Sequence, residues 1–262
     1  MKQGQVLIDA NELDPSFETW FTNNPERIER FQRFFPDATL LAISGYLDLV
    51  VKYWITLELA EEYIEENPKW YNNDAKNIVK SQQNDNSKKK ARSLLPDKMF
   101  EKKLLVSSAA VLWSKKQWHH QVERLFLASD SSYDLLTMEI LQSDDGQTMT
   151  EAYYRAVDDN ESFGEIGTHF SQVKFESFSN REFGTISKTF QSAVSRLKNR
   201  DVQISKPLKI DKVYVLVNLM SYDPAKLDEA LRLRLLGRQL ECWVDFVAAK
   251  VVDRLVQASF VS

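Results

Sequence analysis

Downstream of Asp37, Leu40, Ile43, Leu47, Val50, Trp54 and Leu57 recur at alternating steps of three and four residues. That spacing brings apolar side chains to one side of a helix and predicts a single helix from Asp37 to about Asn67-Pro68. Ahead of it, Asn24-Pro25 reads as an N-cap with proline at the first helical position, and the apolar run from Gln5 to Ile8 as a short strand. Another long helix is expected from Asp97 to about Leu127, carried by Leu104, Val111, Trp118, Val122 and Phe126. A last one opens at Asp223-Pro224 and places Leu227, Leu231, Leu235, Trp243 and Val247 at helical spacing. A helix this apolar needs a partner surface, which predicts packing on the N-terminal helices.

From Tyr133 the period changes. Tyr133 to Leu141 reads as a strand, Thr148 to Val157 and Phe163 to Phe170 as helices, and Arg181 to Ile186 as a short strand. Thr189 to Leu197 is again helical. Lys212 to Met220 is an apolar strand in which Val213, Val215 and Val217 alternate with Tyr214, Leu216 and Asn218. This order predicts an α+β unit with helices on an antiparallel or mixed sheet. The expected organisation is a helical domain over 1–130 with a polar loop near 69–96, an α+β module over 131–221, and a C-terminal helix over 222–262. With only 7 Gly and 7 Pro, the chain favours long helices over a turn-rich all-β fold.

Charge and chemistry narrow the function. A formal net charge of -4 excludes the basic surplus of a general nucleic-acid binder. No stretch approaches the roughly 18 uncharged apolar residues of a membrane span, and no apolar leader precedes the acidic residues near Met1, so a cytoplasmic location is expected. Lys88, Lys89, Lys90 and Arg92 lie in a polar run that reads as a solvated loop. The single cysteine, Cys242, sits in an apolar helical stretch, where a free thiol packs as a small hydrophobe. His119 and His120 are adjacent, point apart on a helix and do not converge on one ion, so no metal is expected. Asp144-Asp145-Gly146 is a turn signal lacking the later oxygen ligands of a calcium loop. Phosphate-loop and nucleophile-elbow motifs are absent, and no cofactor is expected. The 6 Trp and 15 Phe supply more apolar surface than a core of this size needs. Trp20, Phe21, Phe34 and Phe35, beside helix boundaries, are candidates for its exposed part.

The module carries a resemblance. Its first strand reads Glu139-Ile140-Leu141, followed at fixed spacing by Phe163-Gly164-Glu165-Ile166-Gly167-Thr168-His169-Phe170-Ser171. Then come Phe183-Gly184, Phe190-Gln191-Ser192-Ala193 with Leu197, Ser205-Lys206-Pro207-Leu208, and the strand Tyr214 to Leu219. In order and spacing these resemble the motifs of parvulin-type peptidyl-prolyl isomerases. The run Ala225 to Arg232 with Trp243 is similar to the closing helix of SurA-like proteins of the cyanobacterial branch. The resemblance implies a mostly helical SurA-like chaperone domain, formed by N- and C-terminal helices, flanking a parvulin-like α+β module.

It also implies site residues. Glu139 and Val215 stand where the family places its two sheet histidines, and Phe190 and Leu197 stand at its proline-pocket positions. Phe183 belongs to a glycine turn reduced to Gly184. No catalytic residue is assigned, because this chain carries neither of those histidines; Glu139, Phe183, Phe190, Leu197 and Val215 are expected to contact a peptide instead. Phe190 and Leu197 equally suit the core of a helix on a sheet, and Glu139 a solvated strand face. The expected function is non-covalent binding of a polypeptide client by a degenerate chaperone of this type. The rivals are a weak prolyl isomerase and a non-catalytic scaffold in peptide maturation or export. No oligomeric state is assigned.

Overall fold

The computed structural model describes residues 25–34, 41–42, 44–70, 97–198 and 203–261. Gln5 to Ile8, Trp20, Phe21, Phe35, Asp37, and Lys88 to Arg92 lie outside the described residues, as does the side chain of Phe34. In chain order the helices and strands are α1 (Pro25–Phe34), α2 (Leu47–Glu66), α3 (Asp97–Trp118), α4 (Val122–Ala128), β1 (Leu135–Ser143), α5 (Gly146–Asp158), α6 (Phe163–His169), β2 (Lys174–Glu182), α7 (Lys188–Lys198), β3 (Leu208–Ile210), β4 (Val213–Asp223) and α8 (Glu229–Val261). The fold is α+β. The chain divides into a helical unit, Met1–Ala128 with Leu227–Ser262, and an α+β unit, Ser129–Lys226.

Three helix boundaries differ from those the periodicity predicts. The apolar pattern through Leu40 and Leu47 is interrupted by Gly45, whose φ of +75° closes the helical turn at Leu41 and Ala42. α2 therefore starts at Leu47 rather than at Asp37. The predicted helix from Asp97 to Leu127 breaks at a 3-10 turn, His119–Gln121, between α3 and α4. The predicted start at Asp223-Pro224 falls short of the helix, because Asp223 still belongs to β4 and the Asp228 carboxylate accepts from the Leu231 amide to open α8.

Within the helical unit α8 packs on α2, α3 and α4. Trp113 and Trp118 of α3 and Trp243 of α8 meet at ring separations of 5.8, 5.9 and 6.1 Å. α1 is tied to α2 by ion pairs: Arg30 to Glu58 at 2.7 Å and Arg27 to Glu62 at 3.0 Å. Trp113 Nε1 donates to the same Glu62 at 3.1 Å, which joins α3 to the pair.

In the α+β unit four antiparallel strands run in the order β2-β1-β4-β3. Period-two alternation along β1 and β4 sorts side chains to two faces. Leu136, Met138, Ile140, Val215, Val217 and Leu219 face α7, whereas Leu141 and Leu216 pack with α5 and α6. Asp144-Asp145-Gly146 opens α5, with the Asp145 carboxylate accepting from the Gln147 and Thr148 amides. Ser162 and Glu165 form a capping box on α6. The expected strand from Arg181 to Ile186 is replaced by β2, which begins at Lys174 and gives way to a 3-10 turn, Phe183–Thr185. KFESFSNRE has too few apolar positions to show a period, yet it pairs with β1 along its length.

Candidate peptide-binding site

The sheet face under α7 is a floor of hydrocarbon. Val215 and Leu197 are buried in it, together with Ala193 and Val194 of α7. Phe183, Ile186 and Phe190 are half-buried and pack along its margin. Four of the five residues singled out from sequence, Phe183, Phe190, Leu197 and Val215, thus converge on one cluster. Their depths differ. Phe183 and Phe190 retain exposed surface, while Leu197 and Val215 lie beneath them at 7% and 2% exposure. Glu139 is not brought to them. Its register partner is Asn218, on the α5 and α6 side of the sheet, and Asn218 Nδ2 donates to Glu139 Oε2 at 3.2 Å.

The margin is held in place by polar groups that pattern reading passed over. Gln191 Nε2, on α7, donates to the Phe183 carbonyl at 3.2 Å and to the Ile186 carbonyl at 2.9 Å. One side chain therefore fixes the loop carrying two margin residues against the helix carrying the third. The Gly184 amide donates to the Ser132 carbonyl at 2.8 Å. At that approach a Cβ on Gly184 would stand 2.8 Å from the Ser132 oxygen, so only glycine fits.

Behind Phe183 lies a second cluster. The Phe183 ring meets Tyr222 edge-on at 6.4 Å. Tyr222 donates its hydroxyl proton to Asp134 Oδ2, and the Ala225 amide donates to Asp134 Oδ1 at 2.8 Å. Lys198 Nζ donates to the Tyr222 hydroxyl at 2.7 Å and stands 3.6 Å from the carboxylate. Burial pushes the Asp134 carboxyl up, but the Ala225 and Tyr222 hydrogen bonds outweigh it and hold the group below the usual carboxylate value. Burial and the neighbouring Asp134 push the Tyr222 phenol up. The cluster clasps the first residue before β1 to the end of β4 and of α7. An open cavity of about 250 Å³ adjoins it, lined by Leu197, Lys198, Leu219 and Tyr222 among others.

Other candidates lie elsewhere. A larger open hollow of about 720 Å³ runs along the outer side of α5, lined by Thr150, Glu151, Tyr154, Arg155 and Asp158. It belongs to the opposite face of the sheet and four of its lining residues, Glu151, Arg155, Asp158 and Asp159, are charged, so its size does not make it the better peptide groove. His119 and His120 sit on the 3-10 turn rather than on an α-helix, with ring planes at 87°. Among the described residues no group of three His, Cys, Asp or Glu side chains is placed to hold a metal ion. Cys242 is half-buried on α8. No described helix is long and apolar enough to cross a membrane.

No protein-family model matches the chain, and no curated protein matches it. Several solved structures of PrsA peptidyl-prolyl isomerases are similar in arrangement. The foldase protein PrsA from Streptococcus pneumoniae is 11% identical, with 90% of this chain and 89% of that chain covered at a TM-score of 0.35. The peptidylprolyl isomerase PrsA from Bacillus anthracis is 12% identical, covering 88% and 97% at a TM-score of 0.30. PrsA from Bacillus subtilis is 13% identical, covering 87% and 86% at a TM-score of 0.28. A likeness at these scores says nothing of the activity of this chain.

Proposed function

We propose that the chain binds a polypeptide client without covalent chemistry, through the margin formed by Phe183, Ile186 and Phe190. The observation that carries this reading is the pairing of that half-buried apolar margin with a hydrocarbon floor, held rigid by Gln191 and by the close approach at Gly184. Binding to a prepared apolar surface avoids the ordering cost that a mobile loop would impose. Leu197 and Val215 support the margin from below, and Phe183 and Phe190 make the contact. Glu139 takes a separate part on the other face, where a basic client side chain is its natural partner.

A weak prolyl isomerase acting through the same apolar surface is the second reading. Isomerisation needs no nucleophile, only tighter binding of the twisted amide than of the planar one, across an uncatalysed barrier of about 18–20 kcal/mol. The six floor positions contributed by β1 and β4 are Leu, Met, Ile, Val, Val and Leu, with no group able to donate a hydrogen bond to a twisting amide. Titration of the full chain with a permanently unfolded polypeptide, alongside NMR exchange of a proline peptide, separates the readings. Saturable binding with no exchange above background is expected. Exchange accelerated by the full chain and lost in Phe190→Ala would replace the first reading with the second.

A further inference from the structure

β2 is an edge strand of nine residues, paired with β1 on one side only. Among the described residues no backbone group bonds to its outer edge between Lys174 and Arg181. Such an edge presents unsatisfied N–H and C=O groups to any extended chain. Its side chains narrow the choice of chain.

Register places Glu176 across from Ile140, Phe178 across from Met138 and Arg181 across from Leu136. Those β1 residues belong to one core cluster on one face, so Glu176, Phe178 and Arg181 share that face. They share it because of a bulge. Two β2 residues, Ser179 and Asn180, stand opposite the single Thr137, and Asn180 takes a φ of +50° to make the step. Without the extra residue Arg181 would turn to the other side. The Arg181 guanidinium is exposed, lies 5.6 Å over the Phe178 ring, and forms no ion pair among the described residues.

We propose that β2 pairs antiparallel with β2 of a second copy of this chain, about a two-fold axis through Phe178. Counting Ser179 and Asn180 as one step, as β1 does, this register sets Glu176 opposite Arg181 of the second copy. The reciprocal pair forms on the other side of the two Phe178 side chains. An isologous interface demands this self-complementarity, and an arbitrary client strand does not supply it. Three other registers are opposed by charge: an axis through Glu176 or Arg181 puts like residues face to face, and one through Ser177 puts Lys174 opposite Arg181. Like charges directly opposite are destabilising in an antiparallel pair. Lys174 already pairs with Glu176 within the strand, so each end of the interface joins three charges.

The paired side chains lie on the α7 face, as the proposed client margin does, but the contact is made through the outer backbone edge of β2, and its test is separate. Sedimentation equilibrium of the full chain is expected to show mass rising twofold with concentration. E176R and R181E should each weaken association by roughly tenfold, because each turns two attractive pairs into repulsive ones, and the E176R/R181E double variant should restore it. Circular dichroism should be unchanged, since both side chains stand on an edge strand, Arg181 exposed and Glu176 half-buried beside Lys174. A constant monomer mass, or a double variant no tighter than the singles, would overturn the proposal. So would β2 amides whose exchange slows only when an unfolded polypeptide is added to monomer, which would assign the edge to client.

Discussion

Gly184 shows how a single position fixes the site. Any Cβ there meets the Ser132 carbonyl oxygen at 2.8 Å and the Ser132 Cβ at 2.9 Å, and backbone cannot swing aside as a long side chain can. Gly184→Ala is expected to cost about 1–3 kcal/mol in denaturant unfolding and to weaken client binding several-fold by displacing Phe183. The sequence marked Gly184 as a turn residue, but Ser132, 52 positions away, has no pattern that would announce the contact. Gln191 is similar. A polar residue on an amphipathic helix reads as solvent-facing until the two carbonyls it holds are seen. Asp134 gives a pH dependence whose sign follows from its hydrogen bonds. Because its folded value lies below the unfolded one, its contribution is complete above the ordinary carboxylate range and lost as pH falls through the lowered value. Thermal melting across that acid range should therefore fall less steeply in Asp134→Asn than in the parent. The variant should also be less stable at neutral pH, by about 1–3 kcal/mol for two buried hydrogen bonds disturbed.

At the scale of the element, strong periodicity was legible and weak periodicity was not. α5, α6, α7 and β4 follow the apolar spacing closely, because each buries one face on a core. β2 does not, because an edge strand keeps polar residues on both faces, and β3 is too short at three residues to show alternation. The break at His119–Gln121 was hidden for another reason: apolar residues continue at helical spacing on both sides of it. α1 is a short helix attached to α2 by the buried Phe31 ring, 5.1 Å from that of Trp54, and by ion pairs. Burial pushes the Glu58 carboxyl above its ordinary value, a shift that Arg30 and Arg27 oppose only in part. Glu58→Gln should release α1 from α2, read as roughly tenfold faster amide exchange over residues 25–34 with α3 unaffected.

For the whole molecule, the period changes at Tyr133 and returns after Asp223, and the α+β unit spans Ser129–Lys226. The stability of the helical unit rests on residues far apart in sequence. Trp243 is 1% exposed among Trp113 and Trp118, and Trp243→Ala should destabilise that unit by about 3–5 kcal/mol in guanidinium unfolding followed by far-ultraviolet circular dichroism. Of the candidate site, the sequence showed the apolar residue types of Phe183, Phe190, Leu197 and Val215, which share one cluster. Its division into a buried floor and a half-exposed margin was not, since core and pocket draw on the same residues. Glu139 fell on the other face because strand alternation separates it from Met138 and Ile140, which a motif read as a linear string conceals. The most direct test is hydrogen exchange of the full chain with and without a saturating, permanently unfolded polypeptide. Slowed exchange centred on residues 183–191 is predicted. Unchanged exchange there under saturation, with protection confined to the helical unit, would contradict a client site on the α7 face.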